Sequence, residues 1–152
     1  MKENAYTIRR MRSEDLDEVM QIWLKSNQQA HSFIPAEYWE EKSGMVRELI
    51  KQAEVYTAFA DGILAGFIGL DDGYIAGIFV SAHFRQRGVG TALLVEAKQR
   101  FAELQLHVYV KNRPAVLFYE KEDFSVRTKT RDQETGEEEY LMIWERSAEK
   151  SK

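Results

Sequence analysis

The chain has 152 residues, 44% apolar and 30% charged, with a net charge of −4 and no cysteine. This suits one soluble globular domain with a sizeable core, and it excludes disulfides, thiolate-ligated metals and a covalent cysteine intermediate. The acidic balance offers no footprint for a nucleic-acid backbone, no apolar run reaches the roughly eighteen residues a membrane span needs, and Met1-Lys2-Glu3-Asn4 lacks the apolar core of a signal peptide, so the cytoplasm is the expected location.

A single domain over 1–146 is expected, with 147–152 as a frayed tail. Tyr6 to Arg9 reads as a short strand. Ser13 suits an N-cap, with Glu14 and Asp15 in the first turn of a helix. Leu16, Val19, Met20, Trp23 and Leu24 follow at helical spacing, which carries that helix to about Lys25. His31 to Trp39 is aromatic, and its Pro35 fits the first turn of a second helix, which Met45, Val46, Leu49 and Ile50 continue or follow with another.

Three strands come next. Val55 to Ala60 and Ile63 to Leu70 flank the hairpin signal Asp61-Gly62, and Asp71-Asp72-Gly73 turns the chain into Tyr74 to Val80. A loop over Ser81 to Arg87 leads to a helix from about Gly88 to Glu103, with Ala92, Leu93, Ala97, Phe101 and Leu104 on one face. Gln105 to Val110 is a strand, and Asn112 and Pro114 open a short helix carrying Ala115, Phe118 and Tyr119. Phe124 to Thr130 and Glu139 to Trp144 form a closing hairpin around Gly136. The acidic run from Asp132 to Glu139 reads as its solvated end. The order implies a mixed α/β fold with a mostly antiparallel sheet and a central strand–helix–strand crossover.

The turn Arg85-Gln86-Arg87-Gly88-Val89-Gly90 joins a strand to a helix, which makes it a physical anion site. The N–H groups of a helix's first turn lack intrahelical acceptors, and the helix dipole adds partial positive charge. Gly88 and Gly90 leave room for a phosphate, and Arg85 and Arg87 add charge-assisted contacts. No Gly-x-x-x-x-Gly-Lys-Ser/Thr loop is present, and Leu93 stands where a dinucleotide fingerprint needs its third glycine. The histidines His31, His83 and His107 have no metal-ligand spacing, so no metal is expected.

The stretch F-V-S-A-H-F-R-Q-R-G-V-G-T-A-L-L resembles the acetyl-coenzyme A motif of the GNAT superfamily of N-acetyltransferases, with its Arg/Gln-x-x-Gly-x-Gly/Ala core. N-R-P-A-V-L-F-Y-E-K-E-D-F resembles the superfamily's Asn…Ala…Phe-Tyr-Glu-Lys-x-Gly-Phe segment, and the order of elements matches over nearly the whole chain. The resemblance implies a GNAT fold and transfer of an acetyl group from acetyl-CoA to a primary amine. It implies that Ile78, Phe79 and Val80 hold the pantetheine arm and that Arg85, Gln86, Arg87, Gly88, Val89 and Gly90 cradle the pyrophosphate. It further implies that Asn112 contacts the cofactor arm and that Tyr119 stands near the sulfur as general acid. Asp123 departs from the pattern: it replaces the usual glycine and is expected in a left-handed conformation at the end of the helix.

Acetyl transfer requires a group that deprotonates the amine, stabilisation of the oxyanion and a proton for the thiolate. A backbone N–H near Phe79 or Val80 suits the oxyanion. His107 occupies the position where some members of the superfamily carry a glutamate base, and histidine as a residue type titrates near about 6.5. Asp71, Asp72 and ordered water are the alternatives. Without cysteine, direct attack in a ternary complex is favoured. For the acceptor, His31, Phe33, Tyr38 and Trp39 are candidate lining residues, with a core role for the aromatics as the competing reading. Their spacing resembles a bacterial GNAT subgroup that includes enzymes suggested to acetylate protein lysines. The acceptor class stays open among small molecules, peptide N-termini and protein lysines, and the assembly is a monomer or a homodimer. A catalytically silent acetyl-CoA sensor and an interaction module on a GNAT scaffold remain compatible with the sequence.

Overall fold

The computed structural model describes residues 6–147. The expected tail over 147–152 lies outside these residues except for Ser147, as do Met1 to Asn4. Seven strands, β1 (Thr7–Arg10), β2 (Glu54–Ala60), β3 (Ile63–Asp71), β4 (Tyr74–Val80), β5 (Glu103–Tyr109), β6 (Ser125–Arg131) and β7 (Glu138–Glu145), form one sheet in the order β1-β2-β3-β4-β5-β7-β6. Helices α1 (Leu16–Ala30) and α2 (Ala36–Gln52) cover one face. Helices α3 (Val89–Arg100) and α4 (Arg113–Lys121) cover the other. Among the described residues no helix is long and apolar enough to cross a membrane.

The β2–β3 and β3–β4 hairpins form where Asp-Gly pairs supply positive φ. Asp61 and Gly62 lie at 53° and 79°, and Asp72 and Gly73 at 50° and 89°, the conformation whose twist matches that of the flanking strands. Three expectations need correction. Ser13 does not cap α1. It begins a 3-10 turn over Ser13–Asp15, and Asp15 does the anchoring, accepting from the Arg12 N–H at 2.8 Å and from Arg9 at 2.9 Å. Helix α1 runs to Ala30, not about Lys25, because Ser26 to Gln29 are polar residues compatible with a helix and Asn27 is buried, donating to the Trp23 carbonyl at 2.9 Å. Helix α3 stops at Arg100, and Leu104 belongs to β5. The helical spacing of Leu104 is a coincidence of an inward-facing strand position.

The core has two parts, one on each face of the sheet. On the α3/α4 side Ile68, Ile75, Leu93, Leu106, Val116, Tyr119 and Met142 are buried. On the α1/α2 side Val19, Trp23, Trp39, Val55, Phe67 and Tyr109 are buried.

Candidate active site

β4 and β5 are parallel, yet they pair only at Tyr74–Gln105 and Ile75–Leu106. The separation begins at a bulge. β3 matches Leu70 with Ile75 but Gly69 with Gly77, leaving Ala76 as an extra residue in β4. Ile75 and Ile78 consequently both face the α3/α4 core. A bulge bends a strand, and here it bends β4 where it leaves β5. From 76 to 80 the β5-facing edge of β4, which includes Ile78, Phe79 and Val80, has no strand partner. Among the described residues Ser26 Oγ alone reaches the Val80 carbonyl, at 3.5 Å. Unpaired backbone groups at the sheet's centre call for a ligand or water.

The chain leaves β4 through a 3-10 turn over Ala82–Phe84 and enters the Arg85–Gly90 segment. Arg85, Gln86, Arg87 and Gly88 are exposed. Gln86 sits at φ 60° and Gly88 at φ 85°, so the backbone coils at the mouth of α3. The Arg87 carbonyl is held by the Tyr6 hydroxyl at 2.5 Å, and Arg85 donates to Gln29 at 2.5 Å. Val89 is 1% exposed and offers a ligand only its backbone N–H. A Cβ on Gly88 would meet nothing within 4 Å, so that position needs glycine for its backbone conformation. A Cβ on Gly90 would lie 3.0 Å from Phe118 Cζ. Glycine at 90 therefore allows the close approach of α3 to α4, beside the phosphate clearance expected of it.

Helix α4 carries Tyr119 and is fixed at both ends. Asn112 Oδ1 accepts from the Ala115 N–H at 3.4 Å, and its Nδ2 lies 3.1 Å from His31 Nε2. The far end closes as a Schellman turn, with Asp123 at φ 75° as expected and Phe124 N–H donating to the Tyr119 carbonyl at 3.0 Å. The Tyr119 ring packs between Phe118 and Phe124. The residue is 8% exposed, and its hydroxyl makes no hydrogen bond among the described residues. Burial pushes the phenol above its usual range, so it holds its proton.

The opposite face of the opening carries His107, which is exposed. Its Nδ1 lies 2.8 Å from the Tyr74 hydroxyl. Tyr119 and His107 thus come from the two faces of the sheet, beside the gap between β4 and β5. Asp71 ends β3 and Asp72 occupies the turn, at the end of β4 remote from this gap.

The four acceptor-side candidates form a wall with Tyr109. His31 stacks on Trp39 at 5.4 Å and meets Phe33 and Tyr109 edge-on. Trp39 is core, 8% exposed, whereas His31, Phe33 and Tyr38 are partly open. Burial pushes His31 down to about 4. The ring is neutral at pH 7, and Asn112 Nδ2 donates to its Nε2. His31 Nδ1 then carries the proton; it is buried, and only an imperfect contact with the Asn27 backbone meets it. The acidic run is not simply solvated, which corrects the sequence reading. Asp132 accepts from Tyr109 at 2.7 Å, and Glu134 accepts from Tyr38 at 2.7 Å and pairs with Lys42. An open groove of about 380 Å³ between α1 and the Ser81–Arg85 segment lies elsewhere; neither Tyr119 nor His107 lines it.

A model of the acetyltransferase (GNAT) family matches residues 10–124. The chain belongs to this family. The peptidyl-lysine N-acetyltransferase YiaC of Escherichia coli (strain K12) is 33% identical over 139 residues, 90% of this chain and 95% of its own length. The peptidyl-lysine N-acetyltransferase YjaB of the same organism is 31% identical, over 86% of this chain and 89% of its own. The solution structure of apo YjaB from Escherichia coli superposes with a TM-score of 0.82 at 29% identity, covering 93% of this chain and 99% of that one. The PaiA N-acetyltransferase of Thermoplasma acidophilum, solved with coenzyme A, shares the fold with a TM-score of 0.76 at 23% identity, over 92% and 98% of the two chains.

This GNAT enzyme is an acetyl-CoA-dependent N-acetyltransferase. Its own geometry fits that substrate: a left-handed Gly88 before a helix N-terminus for phosphate, and an unpartnered β4 edge for an amide-bearing arm. Sequence reasoning did not connect Tyr74 with His107 or Tyr109 with His31; the fold brings each pair together, and no local pattern reports it.

Proposed function

We propose that this GNAT acetyltransferase transfers the acetyl group of acetyl-CoA to the side-chain amine of lysine in a peptide or protein, by direct attack in a ternary complex. The observation that carries it is the gap between β4 and β5 with a buried phenol on one face and an imidazole on the other. The names of the two Escherichia coli relatives support the lysine acceptor, and the absence of cysteine supports direct attack.

Acetyl-CoA is the second substrate and supplies the acetyl thioester. Backbone N–H groups at the start of α3, with Arg85 and Arg87, bind its pyrophosphate. The free edge of Ile78, Phe79 and Val80 holds the pantetheine arm, and an N–H there takes the developing oxyanion. Asn112 stands beside that arm while capping α4. His107 accepts the amine's proton at Nε2. For this the neutral ring must carry its proton on Nδ1, donated to Tyr74 Oη, a tautomer inferred from the contact. Tyr119 gives its proton to the departing sulfur. Burial weakens the phenol as an acid, but it raises the proton affinity of a thiolate formed in the same dry site, so the two stay matched.

The test is to offer the protein and acetyl-CoA to lysine-containing peptides, free peptide N-termini and small amines, and to locate the acetyl group by mass spectrometry. Acetylation at lysine Nε is expected. Acetylation confined to N-termini or small amines would reject the lysine reading.

A further inference from the structure

Four carboxylates reach the acceptor side from the β6–β7 end, and three of them are matched. Asp132 accepts from Tyr109, Glu134 from Tyr38 and Lys42, and Glu137 pairs with Lys111 at 3.1 Å. Glu139 has no hydrogen bond or ion pair among the described residues, although it is only partly exposed. β7 sets Glu139 opposite Tyr109 of β5 and Thr130 of β6. His107 stands opposite Leu141, two residues along, which makes it a same-face diagonal neighbour of Glu139.

The groups around this carboxylate come from three strands and one loop: Tyr74 on β4, His107 and Tyr109 on β5, Thr130 on β6, and Asp132 beyond β6. Burial and then Asp132 hold the Glu139 carboxyl above its ordinary range, while His107 pulls it down. A partly buried carboxylate with no cation of its own is costly to ionise. Lys42, Lys111 and Lys129 pair with Glu134, Glu137 and Glu138. Among the described residues the positive group that acts on Glu139 is therefore His107, and the carboxylate is left open to a cation that approaches from the acceptor side.

Resting on the lysine reading above, we propose that Glu139 is a positioning residue that receives the ammonium group of the acceptor and holds it against His107, selecting aliphatic amines that arrive as cations. The ammonium passes one proton to His107 Nε2, which releases it to solvent; the neutral nitrogen then attacks the thioester carbonyl, and its second proton leaves through the same imidazole as the tetrahedral intermediate collapses and the thiolate takes the Tyr119 proton. Phe33, partly open and backed edge-on by the buried Tyr109, forms the apolar wall along which a four-carbon lysine stem lies.

The probe is Nα-acetyl-lysine amide, whose only amine is the side chain. Glu139→Gln should raise its KM by about tenfold or more with a smaller change in kcat, and leave the KM for acetyl-CoA unchanged. Glu139→Asp, which keeps the charge, should recover part of the loss. With wild-type enzyme, n-butylamine should compete with the probe and 1-butanol should not, a readout that needs no variant. A Glu139→Gln KM within twofold of wild type, or equal competition by butylamine and butanol, overturns the role of Glu139 while leaving lysine acetylation intact. A wild-type enzyme that never acetylates the probe overturns the lysine reading, and this inference with it.

Discussion

The Phe124 N–H donates to the carbonyl of Tyr119 at 3.0 Å, and the two rings meet edge-to-face with centroids 5.6 Å apart. Backbone closure and ring contact together fix where α4 ends and where its tyrosine stands. This is the hydrophobic contact that accompanies a Schellman turn. The cost falls on Asp123, which adopts φ 75° with an L side chain.

Asp123→Gly should stabilise the domain by about 0.5–1 kcal/mol. Relief of left-handed strain, roughly 1–2 kcal/mol, exceeds the extra entropy glycine gives the unfolded chain. Urea melts check this. A clear loss of stability would show that the Asp123 carboxylate is worth more than the strain it carries.

Gly88 and Gly90 should respond differently. Gly88→Ala strains a backbone at φ 85° in open surroundings, so calorimetry should find weaker coenzyme A binding with a modest fall in stability. Gly90→Ala gains up to about 1 kcal/mol of helix propensity but brings a methyl to 3.0 Å from Phe118 Cζ, which must shift to admit it. Its melting temperature should fall less than that of Gly88→Ala. Because Phe118 adjoins Tyr119, its turnover should fall too. Equal effects of the two variants would contradict the division of labour.

His31 makes stability depend on pH. Its folded pKa, about 4, lies below the unfolded value near 6.5. Between these values the unfolded chain binds a proton that the folded chain refuses, so stability is full above about pH 6.5 and is lost as pH falls toward 4. His31→Gln should flatten that decline. Melting temperatures of both proteins at pH 7 and pH 5 decide it; parallel losses would assign the pH dependence to other groups.

Tyr74→Phe should lower turnover roughly tenfold, the effect of losing one hydrogen bond that orients His107. His107→Ala should lower it by roughly 10²–10⁴-fold. Coenzyme A affinity should survive both changes. If Tyr74→Phe is as active as wild type, the tautomer of His107 is set by something else.

The strands between 54 and 80 were legible because each Asp-Gly pair marks a turn whose positive φ only a few residue types accept. The left-handed Asp123 was legible for the same reason. The Arg85–Gly90 turn was visible as an anion site, but the packing role of Gly90 was not, since its neighbour Phe118 lies on a different helix. Helix α3 read too long because Leu104 falls on its period while pointing into the same core from β5. Tyr74 and Glu139 escaped notice because pairing between β4, β5 and β7 brings together residues far apart in sequence. The acidic run looked like an ordinary hairpin end, and only the fold sets Asp132 and Glu134 against Tyr109 and Tyr38.

Tyr119 stands at the centre of the proposed chemistry, and Tyr119→Phe tests its role most directly because it removes the hydroxyl and keeps the ring. The measurement is the single-turnover rate of acetyl transfer to Nα-acetyl-lysine amide, with coenzyme A affinity measured on the same preparation. A fall of roughly 10²–10⁴-fold in rate with affinity unchanged is the predicted result. A Phe variant that keeps more than about half of the wild-type rate would contradict it, and would leave Tyr119 as an aromatic of the α3/α4 core.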